Sequence, residues 1–598
     1  MVTADTGGRG THAWGQALVV AVDTSLMDSV NTMYTVVFHP DACSRQVLDV
    51  QERQVKWKPS ADLAIALATC TPLQVKTRSA DALRPDPTSY RQALGYPDRL
   101  QWVNAVSAEL DSLVNKGVLV FTELPASVKA IATRFILKLK YLPDGTVDKY
   151  KARLVAKGFL QQYGVHYDET FSPTFQVVSL RCIFALALRA GLTVYHIDVK
   201  TAFLNSDLEY DIWIELPEGF KSASGSSHAK LHKSLYGLKQ AGRDWYKTQD
   251  DFIKAYDPRF QRSTVEPCLY YIWTDDIKVA MLVHVDDYLM AAPEQYYVEF
   301  NAAFDRKFGT NDMGRVSNIL QMGVTWTADS ASMSQERQIV ELAREYGVLD
   351  SAPVFTPMEP GLQLSPAPLP ETHFPFRQLL GSLLWIARCT RPDITFATVY
   401  ISHFCAAYSS THFGALKRVL KYLYHTRSVK LVIRQPRSDG PIPVSVWSDA
   451  DWASDKATRR SVSGYLVTIG KSPVSWGSKR QHTVAMSSCE SEYMALSEAA
   501  KSGLYVIAFF QQFKAVERPS GLNYDNQGSG YLASNTVNND RSKHIDVRHH
   551  FIRDHVAAKT FRLNYVPTAT NLADVFTKAL PREPHSRFSR LIMTAEAA

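Results

Sequence analysis

Residues 281–290 read MLVHVDDYLM, two adjacent carboxylates set between apolar flanks. The Val, Leu, Met and Tyr residues on either side predict two β-strands, with Asp286 and Asp287 at the tip of the hairpin they form. Such acids are costly to desolvate unless a cation neutralises them. An acid pair alone also reads as a solvated turn, so the surrounding chain has to decide. Far upstream, YHIDVKTAFL (195–204) carries an apolar strand that ends on Asp198. Only a fold can bring these three acids together. As hard oxygen ligands they suit two Mg²⁺ ions, whose octahedral shells are completed by substrate phosphates and water.

The context of both strands is mixed α/β. VVSLRCIFALALRAGL (177–192) predicts a buried helix feeding the strand TVYHIDV, and WVNAVSAELDSLVNKG (102–117) places apolar residues at helical spacing. ATRFILKLKYL (132–142) reads as a strand closed by the PDG turn at 143–145. Between 331 and 440 helical periodicity dominates, in FPFRQLLGSLLWIARC (374–389) and THFGALKRVLKYLYHT (411–426), around a Pro-rich segment. From 441 to 598 a second α/β pattern begins at PVSVWSDADWA and includes a long helical stretch over about 489–513. Residues 1–85 show no sustained periodicity and read as a leader ending in a Pro-punctuated linker. The expected units are therefore 1–85, 86–330, 331–440 and 441–598.

Composition narrows the class. With 45% hydrophobic and 21% charged residues, the 598-residue chain falls in the globular range and not among disordered chains. A net charge of +7 admits a polyanionic partner. The seven cysteines are dispersed without a CxxC pair, which argues against a disulfide framework or zinc ribbon and for a reducing compartment. No run of about 18 apolar residues and no signal-peptide pattern is found, so a soluble intracellular protein with no membrane partner is expected.

The C-terminal pattern holds a second scattered set of acids: Asp449 in VSVWSDADWA, Glu492 in SSCESEYMAL, Asp525 in NYDN and Asp574 in TNLADVFTKAL. A strand, a helix, a strand end and a helix start would contribute one carboxylate each, as a second two-metal site requires. Glu490 would point about 200° away from Glu492 around the helix. Asp451 shares the strand face of Asp449 and is less easily separated from it.

The ordered blocks KYKARLVAKGFLQQYGVHYDETFSP (149–173), HIDVKTAFLNSDL (196–208), LPEGF (216–220), LHKSLYGLKQAGRDWY (231–246) and HVDDYLM (284–290) resemble the Pol region of copia-type LTR retrotransposons. So do RRSVSGYLVTIGKSPVSWGSKRQHTVAMSSCESEYMALSEAAKSG, KHIDVRHHFIRDHV and NLADVFTKAL in the C-terminal part. The resemblance implies a right-hand polymerase (fingers and palm in 86–330), a helical thumb or connection (331–440) and an RNase H-like α/β domain (441–598). It implies an RNA-directed DNA polymerase, with Asp198, Asp286 and Asp287 as the metal-binding palm acids, and an RNase H with Asp449, Glu492, Asp525 and Asp574. Two Mg²⁺ per site are implied, with Mn²⁺ as a substitute. RNA template, DNA primer, RNA:DNA hybrid and dNTPs are the implied partners, alongside Gag and integrase products of the same element. By the same resemblance Phe203 is the steric gate, Gln240 lines the incoming nucleotide, Lys151 and Arg153 lie on a basic fingers strand with Arg153 toward the triphosphate, and Gly323 forms the primer-grip turn. His284 stands where the family usually has Tyr, and the auxiliary histidine of cellular RNases H is not seen in VPTATNLAD. A cytoplasmic particle, with passage to the nucleus, is the implied location. The alternative reading is a domesticated remnant that binds nucleic acid without catalysis.

Two further signals are set aside. Asp5-Thr6-Gly7 matches an aspartic-protease triplet but lacks a preceding apolar strand, and His544, His549 and His550 do not share one helical face. No paired His and Cys motif of an integrase is found.

Overall fold

The computed structural model describes residues 86–598 apart from 142–146, 218–219, 221–224, 437–439, 535–545 and 596–598, without the side chains of Tyr141 and 546–550, together with the backbone of five strand segments between Val2 and Lys56. Beyond that backbone the leader, with its Asp5-Thr6-Gly7 triplet, lies outside the described residues, as do the 143–145 turn, His544 and the side chains of His549 and His550. Among the described residues no helix is long and apolar enough to cross a membrane.

Helix α1 (Arg99–Asn115) buries Trp102, Val106 and Leu113, the stripe that its spacing predicts. It covers a sheet begun by β1 (Leu119–Phe121), β2 (Ile131–Tyr141) and β3 (Val147–Ala156). Alternation along β3 sends Ala152, Leu154 and Ala156 inward and leaves Lys149, Lys151 and Arg153 on the other face. Helix α2 (Val177–Ala190) is apolar nearly all round and ends where Gly191 takes a left-handed φ of 65°. Strand β4 (Thr193–Val199) follows at once, and β5 (Asp207–Glu215) and β6 (His228–Lys233) return to complete the first sheet in the order β1-β6-β5-β2-β3.

A second sheet carries the segment 281–290. Helix α3 (Ala241–Tyr256) precedes β7 (Leu269–Trp273), β8 (Lys278–His284) and β9 (Asp287–Ala292), and helix α4 (Glu294–Phe308) leads to β10 (Thr310–Arg315). The order is 261–262, β7, β8, β9, β4, β10, with every pair antiparallel. Both faces of β7, β8 and β9 are covered, so these three strands are apolar along nearly their whole length. Tyr270, Met281, Val283 and Tyr288 meet Trp245 of α3 and Phe300, Phe304 and Phe308 of α4, whereas Leu269, Leu282 and Leu289 face α2.

The expected boundary at 330 falls inside a small sheet. Strands β11 (Asn318–Ile319), β12 (Met322–Trp326) and β13 (Ser330–Ser334) are joined by β14 (Leu431–Arg434), a hundred residues later in the chain. Helices α5 (Glu336–Glu345), α6 (Phe376–Cys389), α7 (Thr395–Ser402) and α8 (Ser410–His425) are thus an insertion between two strands of that sheet, with their own core around Leu379, Leu383, Leu416 and Leu420.

The last unit has the order β17-β16-β15-β18-β19, from β15 (Val444–Asp451), β16 (Val462–Ile469), β17 (Ser472–Arg480), β18 (Ser520–Tyr524) and β19 (Phe561–Tyr565). The first three strands are antiparallel, and β18 and β19 run parallel to β15. Helix α9 (Ser488–Gln511) packs across β15 and β16, and α10 (Arg582–Thr594) closes the chain. This unit shares one continuous core with α2 and the back of the second sheet. At the junction Arg181 of α2 is fully buried, lies flat over Trp476 of β17 at 3.8 Å, and donates to the carbonyls of Val474 (2.7 Å), Cys389 (2.8 Å) and Arg388. Tyr505 of α9 donates to Glu266 (3.0 Å), whose carboxylate also accepts from Ser179 (2.7 Å).

Candidate active sites

The hairpin of β8 and β9 pairs His284 with Asp287, so Val285 and Asp286 form its two-residue turn. Val285 takes φ 57°, a left-handed conformation that a β-branched side chain rarely adopts. Trp245 donates its indole N–H to the Val285 carbonyl (2.6 Å), and the Val199 amide donates to the Asp286 carbonyl (2.8 Å), which holds the turn against the end of β4. Across the sheet Asp287 lies directly opposite Asp198. Register alone therefore gathers the three acids at one sheet end.

Each acid has a different environment. Burial, with Asp287 and Asp198 nearby, pushes the Asp286 carboxyl up to about 6. Asp287 Oδ1 is 2.7 Å from His196 Nε2, and Asp198 Oδ2 accepts from Asn311 Nδ2 of β10 at 2.8 Å. His284 has its ring edge against Phe175 at 5.1 Å, and burial holds its imidazole below the usual range. A buried carboxylate crowded by two others calls for compensating positive charge, and an all-oxygen donor set fits a hard divalent cation.

Beside this end, Arg153 stacks over the Tyr236 ring at 4.6 Å, and Phe203 meets the same ring edge-on at 5.4 Å. The Tyr236 hydroxyl is pushed up to about 12 by burial, with Asp286 and Asp198 adding to the shift against Arg153. Lys151 is lowered to about 8 by burial and by Arg153, Lys140 and Lys149. The loop bearing Tyr236 lies on β3 backbone to backbone: Ala156 N donates to Tyr236 O (2.8 Å), and a Cβ on Gly158 or Gly237 would collide with a carbonyl oxygen of the other segment.

Two expected residues are placed differently. Gln240 is buried, accepts from Gln161 (2.9 Å) and donates to the His166 carbonyl (3.0 Å), so its amide ties down the 161–166 loop and does not face open space. Gly323 is not a turn residue. The turn is made by Leu320 (φ 49°) and Gln321 (φ 65°), whereas Gly323 sits in β12 opposite Ser334, where a Cβ would make only ordinary contact. The glycine signal pointed two residues past a bend that non-glycine residues make.

In the C-terminal sheet Asp449, Asp525 and Asp574 bring carboxylate oxygens within 4.8 Å of one another. Asp449 lies on β15, Asp525 follows β18, and Asp574 sits in the short helix Leu572–Phe576. Glu492 faces them from α9: burial and then Asp449 and Asp525 drive its carboxyl far above the ordinary range, and burial and Asp574 do the same to Asp449. Glu490 is engaged elsewhere, accepting from the Met486 amide (2.6 Å) at the helix start. Asp451 is half-buried outside the close cluster. Asp449 accepts from the Thr577 hydroxyl, and Asp574 Oδ1 is buried within the cluster, faced by the Lys578 ammonium. These residues fit divalent metal ions.

A family model described as reverse transcriptase (RNA-dependent DNA polymerase) matches residues 116–360, which span both sheets around Asp198, Asp286 and Asp287. The chain is 34% identical over 522 residues to the retrovirus-related Pol polyprotein from transposon TNT 1-94 of Nicotiana tabacum, covering 85% of this chain and 39% of that protein. It is 32% identical over 498 residues to the Pol polyprotein from transposon RE1 of Arabidopsis thaliana, covering 82% and 34%. Residues 116–360 therefore carry a reverse transcriptase domain, and the chain as a whole is similar to copia-type Pol polyproteins. It spans between a third and two fifths of the length of those relatives.

Sequence reasoning passed over several residues that the fold places against these acids. His196 was legible in principle, because two residues along a strand return to the same face as Asp198. Lys578, four residues after Asp574, sits 3.1 Å from Asp574 Oδ1. Asn311 and Tyr236 carried no local signal, since only long-range pairing brings them in.

Proposed function

We propose that this protein is an RNA-directed DNA polymerase with a second, ribonuclease H site, the sheet around Asp286 acting as palm, the β1–β3 and β5–β6 sheet as fingers, the helical insertion as thumb or connection, and 441–598 as the RNase H-like domain. The observation that carries it is the register that sets Asp287 opposite Asp198 with Asp286 at the turn beside them. Bound divalent ions would supply charge neutralisation at the reacting phosphate and a lowered pKa for the attacking oxygen. Asp198, Asp286 and Asp287 would hold them. Arg153, presented by Tyr236, faces the triphosphate, and Phe203, edge-on to the same ring, closes the space a ribose 2′-hydroxyl would need. His196 and Asn311 orient two of the three carboxylates. The primer 3′-hydroxyl then attacks the α-phosphorus of a dNTP and pyrophosphate leaves.

In the second site Asp449, Glu492, Asp525 and Asp574 are the corresponding ligands for hydrolysis of the RNA strand of a hybrid, leaving 3′-hydroxyl and 5′-phosphate ends. The close carboxylate cluster on a β17-β16-β15-β18-β19 sheet supports this reading. We place the protein in a cytoplasmic particle with the other products of its element. Primer extension is the decisive experiment. Purified protein with Mg²⁺ extends a DNA primer on an RNA template; no extension, under conditions that support a control reverse transcriptase, would instead identify a nucleic-acid-binding remnant.

A further inference from the structure

Four acids converge in the C-terminal site, and among the described residues one cation answers them. Lys578 favours the charged form of Asp449, Asp451, Glu492 and Asp574 alike, and Asp449 and Asp574 raise its own ammonium against the opposing effect of burial. Its Nζ lies 3.1 Å from Asp574 Oδ1, an oxygen buried within the cluster. The Asp574 side chain is 9% exposed, whereas the Lys578 side chain is 36% exposed. The acid is fixed, and the ammonium on its four-carbon stem has a way out to solvent.

We propose that Lys578 is a displaceable internal counter-ion: it holds the Asp449–Asp525–Asp574 cluster together in the metal-free protein and has to leave Asp574 Oδ1 when a divalent cation binds there. The inference rests on the reading of these acids as metal ligands. Lys578 then acts as a positioning residue and as a competitor of the metal. Affinity for the ion is set lower than four carboxylates alone would give, and the metal-free cluster is spared mutual repulsion.

The test uses the full chain with Asp286→Asn and Asp287→Asn, which removes two of the three acids of the first site from the titration. Melting temperature and a calorimetric Mn²⁺ isotherm are measured for this protein and for the same protein with Lys578→Met, Lys578→Arg or Asp449→Asn. Lys578→Met should melt lower in EDTA, gain more from Mn²⁺, and bind Mn²⁺ about tenfold more tightly, the size of an ordinary coupling between competing ligands. Lys578→Arg should restore the parent behaviour. Unchanged or weaker Mn²⁺ binding by Lys578→Met, with Asp449→Asn still abolishing the isotherm, overturns the counter-ion role and leaves the metal site standing. An isotherm indifferent to Asp449→Asn removes the metal site, and the inference with it.

Discussion

Asp286 illustrates how a single side chain trades stability for function. Burial beside Asp287 and Asp198 raises its folded pKa to about 6, above its unfolded value. The folded state thus binds this proton more tightly, and stability falls as pH rises from about 4 through about 6, remaining lower above that. In EDTA, Asp286→Asn should therefore melt above the wild type at pH 8 and level with it at pH 4, as read by calorimetry. The same exchange at Asp286 and Asp287 together should cut primer extension by ~10²-fold or more while hybrid cleavage persists. Loss of both activities with a normal melting curve would contradict separate sites. Phe203→Ala should raise ribonucleotide incorporation, because the ring braced on Tyr236 is removed; an unchanged dNTP to rNTP ratio would dismiss it as the gate. At this scale the acids were legible because motif order marks them. Their partners were not: Asn311 lies more than a hundred residues from Asp198, and Gln240 looked like a ligand contact because sequence does not show that Gln161 and His166 already occupy its amide.

Elements with strong local patterns were read correctly from sequence: α1, α2, the 281–292 hairpin and the helices between 336 and 425 all show their periodicity. What escaped was pairing across distance. β14 joins β13 only after the helical insertion, and no local pattern in LVIR announces a partner at 330–334. The loop carrying Tyr236 shows how such long-range contact sets function. Gly237 has φ 89° and its backbone presses on Ala156 of β3, so Gly237→Ala should cost about 2 kcal/mol or more in denaturant unfolding. Because Arg153 rides on Tyr236, the same variant should raise KM for dNTP more than it lowers kcat; a kcat defect alone would detach this loop from nucleotide binding.

Across the whole molecule the Asp198–Asp286–Asp287 acids and the C-terminal cluster stand on one core. Arg181 joins α2 to β17 through backbone carbonyls and the Trp476 face. Arg181→Ala should cost ~3 kcal/mol and lower one cooperative melting transition, not split it into two. A chain ending at residue 440 would expose to water the face of α2 that carries Ser179 and Arg181, where Tyr505, Val474 and Trp476 of the last unit now pack, and it should aggregate or give a broad, uncooperative melt. A sharp melt for that truncated chain would show the core to be divisible. The indole of Trp476 is held from two directions at this junction, Arg181 lying over its ring and its N–H donating to the Ala387 carbonyl of α6 at 2.9 Å. A change at that one indole would therefore be felt in α2 and in the helical insertion at once, although Trp476 itself belongs to the sheet of the other acid cluster.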